Sequence, residues 1–129
     1  MQATANRRHE RGATLVEYAL VVSILIVFVL GIIEFARIIF TYNTLANAAR
    51  EGARYGIIHP HDTAGVESAT RALSTGLDST LLAIQTTWSS DAVQVRIDYP
   101  VHLVTGPFIQ AIGGTPIVHL RAVSRMRLE

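Results

Sequence analysis

The sequence predicts an α+β chain: a long N-terminal membrane-spanning helix continues into a small head with a short helix and an antiparallel sheet of about three strands. Three observations carry this. From Ala13 to Ile33 the only charged side chain is Glu17. The helical period then persists to Ile57, without a helix-breaking Pro before Pro60. From Val93 onward the apolar period falls to two, that of a half-buried strand. The expected division is residues 1–12 as a polar leader, 13–57 as the helix with its membrane part at about 13–33, and 58–129 as the head.

A helix over Ala13–Ile33 is roughly 30 Å long, about the hydrocarbon thickness of a bilayer. Leu, Val, Ile and Phe fill all its sides, so it must be buried in lipid or in a large core. The rest of a 129-residue chain is too short to wrap it, which favours lipid. Arg7, Arg8 and Arg11 precede the run against one acid, Glu10, an asymmetry that predicts a cytoplasmic N-terminus and an extracytoplasmic head. A cleaved secretory signal needs a shorter apolar core and a small-residue site after it. Glu34-Phe35-Ala36-Arg37 follows instead, so the helix is expected to be retained.

Beyond the apolar run, Ile38, Tyr42, Leu45, Ala49, Gly52 and Gly56 recur at spacings of three and four. Ala49, Gly52, Ala53 and Gly56 fall on one side, where small residues admit a close neighbour, and Arg50 and Arg54 on another. His59, Pro60, His61 and Asp62 form a turn. Imidazole and carboxylate are metal ligands by type, but such residues often meet in loops by chance, and no metal is expected. Asp62 or Thr63 is a candidate cap for a helix over about Ala64–Leu73, with Val66, Ala69, Ala72 and Leu73 as its apolar stripe and Gly76 as a terminator.

Residues 79–84 fit a helix end or a strand start equally well. Thr86–Trp88 reads as a strand. Val93, Val95, Ile97, Tyr99, Val101 and Leu103 alternate with polar residues, with Pro100 arguing for a break, a bulge or an edge. Gly106-Pro107 starts a loop ending near Pro116; Phe108, Ile109 and Ile112 within it suit a membrane, a partner or the core. The last strand is Ile117–Leu128, with His119, Arg121, Arg125 and Arg127 as an outward basic stripe.

Composition excludes several functions. A net charge of +1 makes no case for nucleic acid. The absence of Cys rules out disulfides, thiol nucleophiles and Cys-based zinc sites. No nucleophile elbow, zinc-protease motif or phosphate loop is present, so no enzyme and no cofactor are expected.

Two phrases resemble a known family. Gly12 followed by Glu17 and Tyr18, behind a basic leader and at the start of an apolar helix, resembles the processing site of type IV prepilins, above all the Flp and TadE-like proteins of tight-adherence (Tad) pilus systems. Asn47-Ala48-Ala49-Arg50-Glu51-Gly52-Ala53-Arg54-Tyr55-Gly56 is similar to the signature that follows the membrane helix in TadE-like proteins. The resemblance implies a cut between Gly12 and Ala13 by a prepilin peptidase, with Glu17 at the fifth mature position acting in processing and assembly. It implies a minor pilin or pseudopilin of the bacterial inner membrane or the extracellular pilus. Its partners would be other pilin subunits, the assembly machinery and lipid. A major Flp-type pilin is mostly helix and would lack such a head; an uncleaved single-pass binding module is the other alternative.

Overall fold

A computed structural model describes the backbone of residues 2–128 and the side chains of residues 12–128. The leader expected at residues 1–12 therefore lies, but for Gly12, outside the described side chains. The elements run α1 (Gln2–Ile58), α2 (Thr63–Ala72), β1 (Ala83–Trp88), β2 (Ala92–His102), α3 (Gly106–Ala111) and β3 (Ile117–Arg127). The chain divides into two units, one up to Phe35 and one from Ala36. The first is helix alone; the second holds the remainder of α1 and all later elements.

In the first unit the large apolar side chains stand uncovered on every side of α1, Ile24 at 70% and Phe28 at 68% exposure. The helix is long and apolar enough to cross a membrane. The Ser23 hydroxyl donates to the Ala19 carbonyl at 2.8 Å. Its proton thus stays satisfied inside the helix, as a hydrocarbon environment requires.

The second unit packs one antiparallel sheet, in the order β1-β2-β3, against the later part of α1. Alternation decides the faces. Val93, Val95, Ile97, Tyr99 and Val101 of β2 point inward, joined by Ile84 and Trp88 of β1 and Leu120, Ala122 and Met126 of β3. Leu45, Ala48, Ala49 and Ala53 of α1 and Val66 of α2 complete the core, and all five are fully buried. The outer face carries Arg96, Asp98, Arg121 and Arg125, with Val123 exposed among them.

Pro100 lies inside β2, the central strand, opposite His119. It is tolerated because β1 is shorter: its last pairing along β2 is Ala83 with Asp98, so beyond that point β2 is an edge on that side. The ambiguous residues 79–84 divide, with Ala83 and Ile84 opening β1.

Two readings are corrected. The stretch after Gly106 contains α3; Pro107 stands in the first turn, where its missing N–H and fixed φ suit helix initiation. On α2 the buried residues are Val66 and Thr70, followed by Ser74 just beyond its end, while Leu73, its C-cap, is 48% exposed. The inward stripe is therefore partly hydroxylic. Thr70 donates to the Val66 carbonyl at 2.7 Å and Ser74 to the Thr70 carbonyl at 3.0 Å, so neither hydroxyl enters the core unsatisfied.

Candidate functional site

Two sets of residues singled out by sequence sit on different parts of α1. Gly12, Ala13, Glu17 and Tyr18 are all exposed on its first unit. A Cβ built on Gly12 would meet nothing within 4 Å. Ala13 and Glu17 are four residues apart, one above the other on the same helical face. A carboxylate here is one turn inside the apolar stretch, where an unpaired charge is disfavoured by lipid.

Ala49, Gly52, Ala53 and Gly56 lie on the second set's buried face. The two glycines mark the closest approaches. A Cβ at Gly52 would collide with the Thr70 side chain of α2 and come within 3.4 Å of the Val66 carbonyl oxygen. A Cβ at Gly56 would meet Val93 at 3.1 Å, Val66 at 3.2 Å and Trp88 at 3.3 Å. The opposite face is solvated: Arg54 reaches Glu51 at 3.7 Å, a weak surface pair one turn long.

The turn that follows is held from both sides by Asp62. One carboxylate oxygen accepts the Gly65 N–H at 2.9 Å, capping α2. The other accepts the Tyr55 hydroxyl at 3.1 Å, tying the last turn of α1 to the same residue. Sequence reasoning found the cap; Tyr55, seven residues away, carried no local signal. His59 stacks on Tyr55 with ring centroids 4.4 Å apart, and His61, at φ 66°, lies 5.2 Å from the Trp88 ring. The Trp88 indole N–H donates to Thr63 Oγ1 at 3.1 Å. Among the described residues, no group of three or more His, Asp or Glu is arranged to hold a metal.

On the outer sheet face Asp98 gathers two guanidiniums. Arg121 Nε donates to its Oδ1 at 2.6 Å and Arg96 Nε to its Oδ2 at 2.9 Å. The Arg121 hydrogen bond, supported by both positive charges and only partly opposed by desolvation, holds the Asp98 carboxyl below its ordinary range. In the loop before β1, hydrogen bonds from the Thr80 hydroxyl and then its backbone N–H hold Asp78 below that range too. The basic stripe of β3 is thus partly neutralised by acids beside it, Asp98 on β2 and Asp91 before it, the latter 4.0 Å from Arg125.

These features define a class: a single helix with the length and apolarity of a membrane anchor, joined to a small α+β head packed on that helix's later turns. Its helical part is TadE-like, since residues 12–54 match the family model described as TadE-like protein. The match starts at Gly12 and runs through most of the small-residue phrase, the two stretches that carry the resemblance. The match covers a third of the chain and makes that stretch similar to TadE-like proteins; the same helix is a candidate membrane anchor by length and apolarity. No curated protein and no solved structure matches the chain.

Proposed function

We propose that the protein is a minor pilin or pseudopilin of a Tad-type pilus, made as a precursor, held in the inner membrane by residues 13–33 and passed from lipid into a bundle of subunits. The observation that carries the reading is the coincidence of Gly12, Glu17 and the start of the apolar run with the beginning of the TadE-like match. The basic leader stays in the cytoplasm and the head lies outside. A prepilin peptidase cuts between Gly12 and Ala13, leaving a new α-amino group.

The physical logic of assembly follows from the carboxylate. Glu17 in lipid is disfavoured; beside the Ala13 amine of a neighbouring subunit it is paired. In the assembled bundle Glu17 meets the amine of a neighbour, and that pairing favours a subunit stagger bringing Glu17 to the neighbour's N-terminus. Tyr18, beside it on the helix, supplies an aromatic contact with a polar end. The head, too large for a major Flp-type subunit, gives the filament a surface other than bare helix.

Intact mass and N-terminal sequence, from cells with and without prepilin peptidase, test the reading. The expected mature chain begins at Ala13 only when the peptidase is present. A chain beginning at Met1 in both samples would leave an uncleaved anchored module in its place. Gly12→Val is expected to block processing. Glu17→Ala is expected to leave membrane insertion intact while piliation falls sharply; normal piliation in that variant would remove the pairing mechanism.

A further inference from the structure

The connection between β2 and β3 is an ordered loop with uncovered apolar tips. No residue from Leu103 to Val118 has an ionisable side chain. The backbone is internally closed: the Leu103 N–H donates to the Pro116 carbonyl at 2.9 Å, Gly106 to Leu103 at 3.0 Å and Gly114 to Ile109 at 2.8 Å. Gly113, at φ 83°, makes the turn out of α3. Yet Phe108 is 75% and Ile112 85% exposed. A loop this well tied, with its largest apolar groups turned outward, presents them to something other than its own core.

The position of the loop says what that is. Gly56 of α1 approaches Val93 and Trp88, so the start of β2 lies at the end of α1. Buried residues extend back from Gly56 to Thr41 on the helix and forward from Val93 to Val101 on the strand, so β2 runs back along α1. From Val93 to Val101 is roughly 26 Å at ~3.3 Å per residue. The same length of helix leads from Gly56 back to about residue 38, and Ile38 still packs on the core. The β2–β3 loop therefore sits at the end of the head where the chain enters it, a few residues after the apolar run closes at Ile33. Phe40 and Tyr42 of α1, 66% and 47% exposed, belong to the same end.

We propose that this loop is a second membrane contact: Phe108 and Ile112 insert into the interfacial layer of the bilayer that α1 crosses, forming with Phe40 and Tyr42 an apolar collar around the base of the head. The inference rests on the membrane-anchored state of the proposed function. Interfacial layers accept aromatic and aliphatic side chains and uncharged backbone turns, and this loop offers them without any charge to desolvate. A protein partner suits it less well. Two such side chains expose a few hundred Å² at most, against about 1,200 Å² or more for a stable protein interface. A membrane contact of the head, added to that of the anchor, would hold the head against the bilayer before assembly, and extraction would have to release both.

The natural absence of Cys makes the test clean. Single variants Phe108→Cys, Ile112→Cys, Phe28→Cys and Thr87→Cys of the full chain are spin-labelled and reconstituted in phosphatidylethanolamine–phosphatidylglycerol vesicles. Collision with oxygen, which enters lipid, is compared with collision with a water-soluble nickel complex. The expected result is a lipid signature at 28, an interfacial one at 108 and 112 with nickel collisions several-fold below those at 87, and full water exposure at 87. Lipid at 28 with water at 108 and 112 would overturn the proposal and leave the anchor standing. Water at 28 as well would remove the anchor reading and this proposal with it. Labels at 108 and 112 that broaden one another, and sharpen on dilution with unlabelled chain, would assign the patch to a second copy and overturn the lipid contact.

Discussion

The two parts of α1 are one continuous helix with opposite packing logic. Before Phe35 the chain places large apolar side chains all round and covers almost none of them; Gly31 has nothing within 4 Å of where a Cβ would stand. After Ala36 it places Ala48, Ala49, Gly52, Ala53 and Gly56 on one face and buries that face under α2 and the sheet. The contrast teaches that side-chain size on this helix reports what lies opposite. Big residues suit a fluid or exchangeable neighbour, as the lipid or fellow subunit of the proposed function would be. Small ones serve a fixed neighbour that must come close, here one with a threonine at the contact.

The sharpest way to break the comparison is to shorten one side chain in each part. Ile97 is fully buried behind the helix. Ile97→Ala is expected to destabilise the head by roughly 2–5 kcal/mol, the usual range for such a core truncation, read by denaturant unfolding followed through Trp88 fluorescence. Ile24→Ala, 70% exposed in the chain, removes a similar side chain and should leave that transition where it was. Equal losses from both would mean that the apolar part is packed within the monomer.

A somewhat smaller effect comes from adding atoms. Gly52→Val drives a branched side chain into Thr70, and overpacking of this kind typically destabilises by about 1–3 kcal/mol. Thr70→Ala in the same chain should recover part of the loss, because it removes the atom that is struck. Gly31→Ala meets open space, and its expected effect on head stability is nil. The pair is measured by the thermal midpoint of the near-ultraviolet signal. A tolerated Gly52→Val would mean that α2 moves away easily and that the small face is not a tight contact.

This asymmetry also explains what could be read from the sequence. The apolar run, the small-residue face, the Asp62 cap and the alternation in β2 and β3 are local patterns, and each is visible within a dozen residues. What lies across those faces is not local. Thr70 took an inward place predicted for Ala69 and Leu73, because its hydroxyl is satisfied within α2 and because Gly52 leaves room for it. Pro100 argued against a central strand, and only the shortness of β1 reconciles it. Gly106-Pro107 was legible as the start of an element, but Pro suits a loop and a first helical turn alike. The Gly12–Glu17 spacing was legible only as a resemblance, since the proposed cleavage site and inter-subunit pair would leave no packing signature within one chain.

The smallest expected effect separates the two parts by charge. From Ala19 to Ile33 nothing ionises, whereas the head carries carboxylates held in their charged form, Asp98 by Arg121 and Arg96 and Asp78 by Thr80. A carboxyl with a depressed folded value binds its proton more readily when unfolded. Its contribution is therefore complete above the unfolded value, about 3.9 for Asp, and is lost as pH falls through the lower folded one. The head's thermal midpoint should accordingly drop on acidification below about pH 4, while the helical signal of the apolar part persists. Asp98→Asn should lower the midpoint slightly at neutral pH and make its acid dependence shallower, because these pairs are solvent-exposed and individually weak. An acid slope unchanged in Asp98→Asn would move the origin of the pH dependence away from the outer sheet face and toward the other carboxylates of the head.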